Sequence, residues 1–171
     1  MIENLTIIVP YRNGQATLGA LLAALPRGLP VLVVDDQSDT PPSLKPGQRK
    51  FVRVIRPDTR GYFAGAVNAG AAACETDFLI LNQDAVLAGE EWQAFIAEHR
   101  ERYATIGHGV LNHPAWPRGY VQGTFMFVRR DAWAKVGPFN AHDYPLWGAT
   151  AEWQLRACRG GFEALSLAEI P

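Results

Sequence analysis

Short apolar runs alternate with helix-like segments along the first half of the chain. The runs Leu5–Tyr11 and Leu29–Asp36 are rich in Val and Ile, which is typical of strands buried on both faces of a sheet. Between them, residues 14–28 have a helical composition that ends at Pro26 and Gly28. The pattern therefore predicts a β-α-β unit.

The same alternation continues downstream. It predicts a strand at Lys50–Arg56, an Ala-rich helix at Ala64–Glu75 and a strand at Asp77–Asn82. For the second half the pattern predicts, in order, a helix over 89–103, a strand at Tyr120–Val128, a short helix closing at Gly137, a helix over 150–161 and a final strand or tail over 162–171. Strands that alternate with helices favour a mostly parallel sheet with helices on both faces.

The proline-rich, polar segments 38–48 and 111–119 are predicted to be loops over the mouth of this sheet rather than domain linkers. With 171 residues, 48% of them hydrophobic, the chain has the size and composition of one α/β domain. We expect residues 1–88 to form a ligand-binding half and residues 89–171 a second, catalytic half.

Charge and cysteine content exclude several classes of protein. The 16 basic and 17 acidic residues do not run in blocks, so no nucleic-acid partner is expected. Cys74 and Cys158 lie far apart and outside any CxxC spacing, which disfavours a disulfide framework or a zinc site. The N-terminus lacks the features of a signal peptide and no window approaches 18 apolar residues, so we expect a cytoplasmic protein with no transmembrane segment.

Polar side chains follow three of the four predicted strands of the first half. In open parallel sheets, ligands bind beyond the carboxyl ends of the strands. Each cluster alone is also compatible with a turn or a helix cap. Because three clusters converge on one edge, they predict a ligand site there: Tyr11, Arg12 and Asn13; Asp35 and Asp36; Asn82, Gln83 and Asp84.

A fourth element is the glycine-containing entry into the Ala-rich helix. Gly61 and Gly65 permit close backbone approach, a helix start offers free N–H groups, and Arg60 carries donors suited to phosphate or carboxylate. Gly and Ala also serve tight packing against a sheet, and the segment matches neither GxGxxG nor the P-loop. A carboxylate opposite phosphates suggests a bridging divalent cation, for which Asp84 is the best protein ligand.

Five segments, taken in order, resemble family 2 glycosyltransferases of the GT-A type, and especially their rhamnosyltransferase-like members. They are "IIVPYRN", "VLVVDDQSD", "RGYFAGAVNAGAAACETDFLILNQDAVL", "GTFMFVRRDAWAKVGPFN" and "EWQLRACRGGFEAL". The resemblance spans about residues 5–165. It implies metal-assisted, inverting transfer of a hexosyl or deoxyhexosyl group from a nucleoside-diphosphate sugar to an acceptor hydroxyl on a saccharide or a lipid-linked molecule.

The resemblance also implies roles for particular residues. Pro10 and Tyr11 match positions that line the nucleotide base, and Asp36 matches the residue that hydrogen-bonds it. Three further residues match the segment near the ribose and diphosphate: Arg60, Gly61 and Asn68.

A DxD-like motif in the family holds Mg²⁺ or Mn²⁺ through its last Asp. Asn82, Gln83 and Asp84 stand at that motif here, so the metal-binding acid is retained while the two preceding positions are amides.

The family's catalytic base is the position at which this sequence departs. Inverting members carry an acidic pair, whose Asp is the base, followed by a second acid and an Arg. Alignment on Arg156 places Ala149 and Thr150 at the pair and Glu152 at the second acid. Neither Ala149 nor Thr150 can take a proton at neutral pH.

Three explanations are open. Glu152, or Asp143 or His142, acts as the base from a shifted position, which is the preferred interpretation. Alternatively, the protein binds a nucleotide sugar without efficient transfer and acts as a regulatory or binding protein, or the alignment shifts within residues 140–148. A sugar-phosphate nucleotidyltransferase would need a Gly-rich loop with Thr and Arg directly after the first strand. The sequence at that place is "VPYRNGQ", which matches such a loop poorly, so this class of enzyme is disfavoured.

Some remaining residues have two interpretations. Trp116 and Trp147 are candidates for a platform that stacks on an acceptor sugar, or for core positions. His108 and His113 are expected in a loop, as surface or hydrogen-bonded side chains rather than metal ligands.

Overall fold

A computed structural model describes residues 2–114, 116 and 119–171. Its elements in chain order are β1 (Leu5–Tyr11), α1 (Gln15–Ala24), β2 (Val31–Asp35), a 3-10 turn (Gln48–Lys50), β3 (Val52–Ile55), α2 (Tyr62–Ala72), β4 (Asp77–Leu81), α3 (Trp92–His99), β5 (Tyr103–Val110), β6 (Tyr120–Val128), α4 (Arg130–Val136), α5 (Ala149–Arg159) and β7 (Glu163–Leu167). No helix among the described residues is long and apolar enough to span a membrane.

The seven strands form one sheet in the order β3-β2-β1-β4-β6-β5-β7. β1 pairs in parallel with β2 and β4, and β2 pairs in parallel with β3. β6 runs antiparallel to β4 and to β5, whereas β7 is parallel to β5. All strands except β6 therefore point the same way, and the predicted mostly parallel α/β sheet in a single small domain is confirmed.

Helices cover both faces of the sheet, because the central strands are apolar on both sides. In β1, Ile7 and Val9 belong to the core on one face, and Ile8 belongs to the core on the other. α2 lies close to the sheet at Gly70, where an added Cβ would stand 2.6 Å from Cγ2 of Ile8. The small side chains of α2 therefore allow the helix to pack tightly against the sheet, which is the alternative role considered for them in the sequence.

One strand was not predicted. The pattern predicts no strand between the helix over 89–103 and Tyr120, and it places His108 in a loop. Residues Tyr103–Val110 instead form β5, and His108 lies in that strand. Gly107 and Gly109 caused the error, since glycine weakens a strand pattern. The structure shows why glycine stands at position 107. A Cβ at Gly107 would lie 2.0 Å from the carbonyl oxygen of Phe125, so the absence of a side chain permits the close approach of β6.

Candidate functional site

The carboxyl ends of β1, β2 and β4 surround a cavity of about 290 Å³, which we call the edge cavity. Eight of the predicted site residues line it: Pro10, Tyr11, Arg12, Asp36, Arg60, Asn82, Gln83 and Asp84. They come from four separate segments of the sequence. The parallel strand order brings them together, as expected for the edge of an open α/β sheet.

Asp36 organises one wall of the edge cavity. Its side chain is buried, and its Oδ1 accepts the backbone N–H of Gly61 at 2.6 Å. Its Oδ2 lies 3.7 Å from Nε of Arg60, whose guanidinium stands 4.2 Å above the ring of Tyr62. Tyr62 has a left-handed φ of 55°, a conformation that costs energy for a residue with a side chain. The arrangement orients Arg60 while leaving its side chain 42% exposed.

Tyr11 is the buried end of β1. Burial raises the pKa of its phenol, and the nearby Asp35 carboxylate raises that pKa further, while a backbone hydrogen bond with Gly14 opposes the rise. Asp35 is itself buried and pairs with Arg56 at 2.6 Å. The Tyr11 hydroxyl consequently stays protonated well above neutral pH.

Gln83 joins the end of β4 to the end of β1. Its Oε1 accepts the backbone N–H of Arg12 at 2.8 Å, and its Nε2 donates to the carbonyl of Arg12 at 3.3 Å. A Cβ at Gly14 would lie 2.1 Å from that Nε2, so glycine there makes room for the contact. Asp84, which follows, is exposed and has no hydrogen-bond or ion-pair partner within the described part of the chain.

The polar groups around Asp84 can be compared with what a divalent cation needs. Within residues 2–114, 116 and 119–171, no three His, Cys, Asp or Glu side chains come together as a metal cluster. One free carboxylate fits an ion that draws most of its ligands from water and substrate phosphates, as Mg²⁺ does. It does not fit an ion held by protein side chains alone.

A second cavity of about 310 Å³, the side cavity, adjoins the first. Phe63, Asn82 and Leu146 line both. The other walls of the side cavity come from β6 and from the start of α5: Tyr120, Gln122, Gly123, Thr124, Trp147, Gly148, Ala149 and Thr150. Trp147 lies at this cavity and is 86% exposed, which fits the platform interpretation rather than the core one. The contributions of Thr124 and Gln122 were not foreseen, because nothing in the strand pattern of β6 marks them.

The start of α5 is anchored to β6 by Gln154. Its Oε1 accepts the N–H of Val121 at 2.8 Å, and its Nε2 donates to the carbonyls of Val121 at 2.8 Å and Thr150 at 2.9 Å. Gly148 precedes the helix with a φ of 87°. Ala149 and Thr150, which the alignment on Arg156 predicts at the family's acidic pair, line the side cavity at this end of the helix.

The carboxylates predicted as the base lie elsewhere. Glu152 holds Arg156 through contacts of 2.6 and 2.9 Å. Asp143 lies in an exposed turn, where hydrogen bonds from His142 and Asn140 lower the pKa of its carboxyl. Neither residue lines the edge cavity or the side cavity. A base role for either of them stays a prediction.

Asn68 also has a different environment from the one expected. Its side-chain amide donates to the carbonyl of Phe139 and accepts the N–H of Phe139, both at 2.9 Å. It does not line either cavity. In this structure the residue ties α2 to the segment after α4.

Solved structures show the same fold. A crystal structure of GalNAc-T7 with UDP, GalNAc and Mn²⁺ aligns with a TM-score of 0.73 at 15% identity, over 96% of this chain and 42% of that one. A cytidylyltransferase from Leptospira borgpetersenii aligns with a TM-score of 0.61 at 13% identity, over 97% and 76% of the two chains. The catalytic domain of Drosophila β1,4-galactosyltransferase 7 aligns with a TM-score of 0.60 at 16% identity, over 95% and 63%. These likenesses establish a GT-A type fold.

Sequence similarity is more specific than the fold. A pre-mycofactocin glycosyltransferase of Mycobacterium tuberculosis (strain CDC 1551 / Oshkosh) is 34% identical over 100 residues, which are 57% of this chain and 21% of the relative. The match thus spans a minor part of that protein's length. Residues 6–147, the greater part of this chain, match the family described as Glycosyl transferase family 2. The chain belongs to glycosyl transferase family 2.

Proposed function

We propose that this domain binds a nucleoside-diphosphate sugar in the edge cavity and transfers the sugar to an acceptor in the side cavity. The observation that carries the proposal is the convergence of seven resemblance-matched residues on the edge cavity, with an unpaired carboxylate, Asp84, at its mouth. Family membership supports sugar transfer. The donor, the divalent ion, inversion and the rhamnosyltransferase-like subtype are parts of the proposal.

The edge cavity offers a separate group for each part of such a donor. Pro10 and Tyr11 flank the base, and Oδ2 of Asp36 is available to accept one of its N–H groups. Arg60 is held over Tyr62 with its donors exposed, so it can bind the diphosphate. These side chains bind the donor and orient it at the wall that the edge cavity shares with the side cavity.

Asp84 would hold Mg²⁺ or Mn²⁺ together with the donor's phosphates. Such an ion supplies neutralisation of the charge that develops on the leaving diphosphate. Asn82 lies between the two cavities and places an uncharged amide beside the reacting groups.

A thermal-shift panel tests the donor assignment. UDP, GDP and dTDP sugars, including a dTDP-deoxyhexose, would be compared with and without Mn²⁺. A cognate donor at a hundredfold excess over its Kd should raise Tm by roughly 5–10 °C, and more with Mn²⁺ than without it. A flat response to every donor would remove this proposal while leaving the fold and the family in place.

A second candidate is a nucleotide-sugar-binding relative with impaired transfer. Ala149 and Thr150 favour it, because they form the cavity wall where the family's acidic pair is expected. Slow donor hydrolysis that is abolished by Glu152→Gln would count against it, whereas donor binding without any turnover would support it.

A further inference from the structure

The proposed function does not use a cavity at the other end of the sheet. This cavity, of about 280 Å³, lies where β2 and β3 begin, and we call it the basal cavity. Because β2 runs from Val31 to Asp35, the basal cavity and the edge cavity lie at opposite ends of the same strand. The residues that line the basal cavity are Gly28, Pro30, Arg49, Lys50, Phe51, Val52 and Arg53.

The basal cavity concentrates positive charge in a chain whose net charge is -1. Three of its seven lining residues are basic, namely Arg49, Lys50 and Arg53, and none is acidic. No acidic residue stands between Asp39 and Asp58 in the sequence, whereas five basic residues do. Like charges that are held together repel one another, so an anion bound among them is stabilised.

The cations of the basal cavity are not neutralised by the rest of the described protein. Arg49 and Lys50 are exposed and have no hydrogen-bond or ion-pair partner within it. Arg53 donates from Nη2 to the carbonyl of Ala73 at 3.3 Å, which holds the side chain beside the end of α2 without cancelling its charge. All three positive charges are therefore available to a ligand.

The backbone that carries these cations is held by hydrogen bonds. In the 3-10 turn, the N–H of Gln48 donates to the carbonyl of Lys45, and Oε1 of Gln48 accepts the N–H of Lys45, both at 2.9 Å. The carbonyl of Phe51 then accepts the N–H of Val31 at 2.8 Å, which joins the turn to β2. A site on a fixed backbone loses less conformational entropy when it binds a ligand.

The walls of the basal cavity favour a phosphate group. Its two guanidinium groups present forked donors that match phosphate oxygens, and Lys50 adds a point charge. Among the described residues, the large hydrophobic side chains that are exposed all lie outside residues 27–53. This face thus lacks the apolar side chains with which a protein inserts into a lipid surface, and a soluble ligand fits it better.

We propose that the basal cavity binds the phosphate group of a soluble phosphorylated molecule, separately from the donor. The inference goes beyond the proposed function, since no residue of the basal cavity lines the edge cavity or the side cavity. A ligand there connects the turn that carries Arg49 and Lys50 with the start of β3, and its binding stabilises the folded state.

A site-resolved titration tests this binding. Inorganic pyrophosphate, free of divalent ions, would be added to isotope-labelled protein while backbone amide resonances are followed, with acetate at equal ionic strength as the reference anion. Amides of residues 48–53 should shift with an affinity at least about tenfold higher for pyrophosphate than for acetate. Shifts confined to Gly61 and its neighbours would place the anion in the edge cavity and overturn the basal site, as would a lack of saturable shifts.

Two charge-matched double variants separate a built site from general electrostatic attraction. Arg49→Ala/Lys50→Ala removes two cations from the cavity and should weaken pyrophosphate binding at residues 48–53 at least about tenfold. Lys135→Ala/Arg159→Ala removes two exposed cations from α4 and α5 and should weaken it less than about twofold. Thermal unfolding checks that both variants fold. Equal losses of affinity would show that only net charge attracts the anion, and would overturn the site.

Vesicle sedimentation distinguishes the two sources of a phosphate group. Phosphatidylcholine vesicles would be compared with and without phosphatidic acid, and we expect the protein to associate with neither. Association that requires phosphatidic acid and is lost in Arg49→Ala/Lys50→Ala would support the site but overturn the soluble ligand.

The donor panel separates the two proposals. A protein that binds a nucleotide sugar but no pyrophosphate at residues 48–53 would disprove the basal site and retain the proposed function. A protein that binds pyrophosphate there but no donor would retain the basal site and disprove the proposed function.

Discussion

Glu152 and Arg156 form a two-point ion pair one turn apart on α5, with contacts of 2.6 Å from Nε and 2.9 Å from Nη2. Arg156 also donates to the carbonyls of Val136 at 2.6 Å and Pro138 at 2.8 Å. The pair therefore fastens α5 to the end of α4. The acid that sequence comparison offers as a base already has a structural partner.

Glu152→Gln should mainly lower stability. Less than a third of either side chain is exposed, so losing the charged contacts should cost about 1–3 kcal/mol of the free energy of unfolding. Chemical denaturation measures this loss, and Glu98→Gln on the exposed side of α3 is the control. The opposite pattern, an unchanged stability with a fall of about 10²–10⁴-fold in kcat, would identify Glu152 as the base.

Asp84→Asn should remove the metal-dependent part of donor binding. Because Asp84 is exposed and has no partner in the part of the chain that is described, stability should change by less than about 0.5 kcal/mol. Affinity for the cognate nucleotide sugar, titrated with and without Mn²⁺, should fall to the metal-free value. Glu75→Gln, an exposed acid beyond the C-terminal end of α2, is the matched control. If Mn²⁺ still tightens donor binding in the Asp84 variant, the metal role is wrong.

The regular elements of this fold could be predicted where apolar runs have polar boundaries. β1 and β6 have the bounds that the pattern predicts, Leu5–Tyr11 and Tyr120–Val128. The pattern does not predict β5, because Gly107 weakens the strand signal. Glycine is needed there because a Cβ would clash with the carbonyl oxygen of Phe125 on β6, and that contact exists only once the two strands are paired. Local periodicity cannot report a contact between strands.

The candidate site divides in the same way. Parallel strands necessarily bring their carboxyl ends together, so the convergence of Asp36, Gln83 and Asp84 followed from the element order alone. The hydrogen-bond partner of each side chain could not be predicted from the element order. Asn68 forms hydrogen bonds with the backbone of Phe139, 71 positions away, and no sequence spacing predicts that contact.

Gly123→Ala should disturb the wall between the cavities. A Cβ there would lie 2.2 Å from Cζ of Phe63, which lines both cavities, so the ring must move. Overpacking should cost about 1–3 kcal/mol, and donor affinity should fall with it. Gly19→Ala is the control, since an added Cβ on α1 meets nothing within 4 Å and should be neutral or stabilising by up to about 1 kcal/mol. Unchanged donor affinity for Gly123→Ala in a stable protein would show that this wall does not shape the site.

Tyr11 should make stability fall in alkaline solution. Burial, and then the Asp35 carboxylate, raise the pKa of its phenol, so the folded state keeps a proton that the unfolded state releases near its ordinary value of about 10. Above that pH the unfolded state binds fewer protons, and the free energy of unfolding declines until the folded pKa is passed. Urea denaturation between about pH 8 and 11 should show a steeper decline for the parent protein than for Tyr11→Phe, which lacks the proton but keeps the ring. Parallel declines would mean that the Tyr11 phenol ionises as readily in the folded protein as in the unfolded chain.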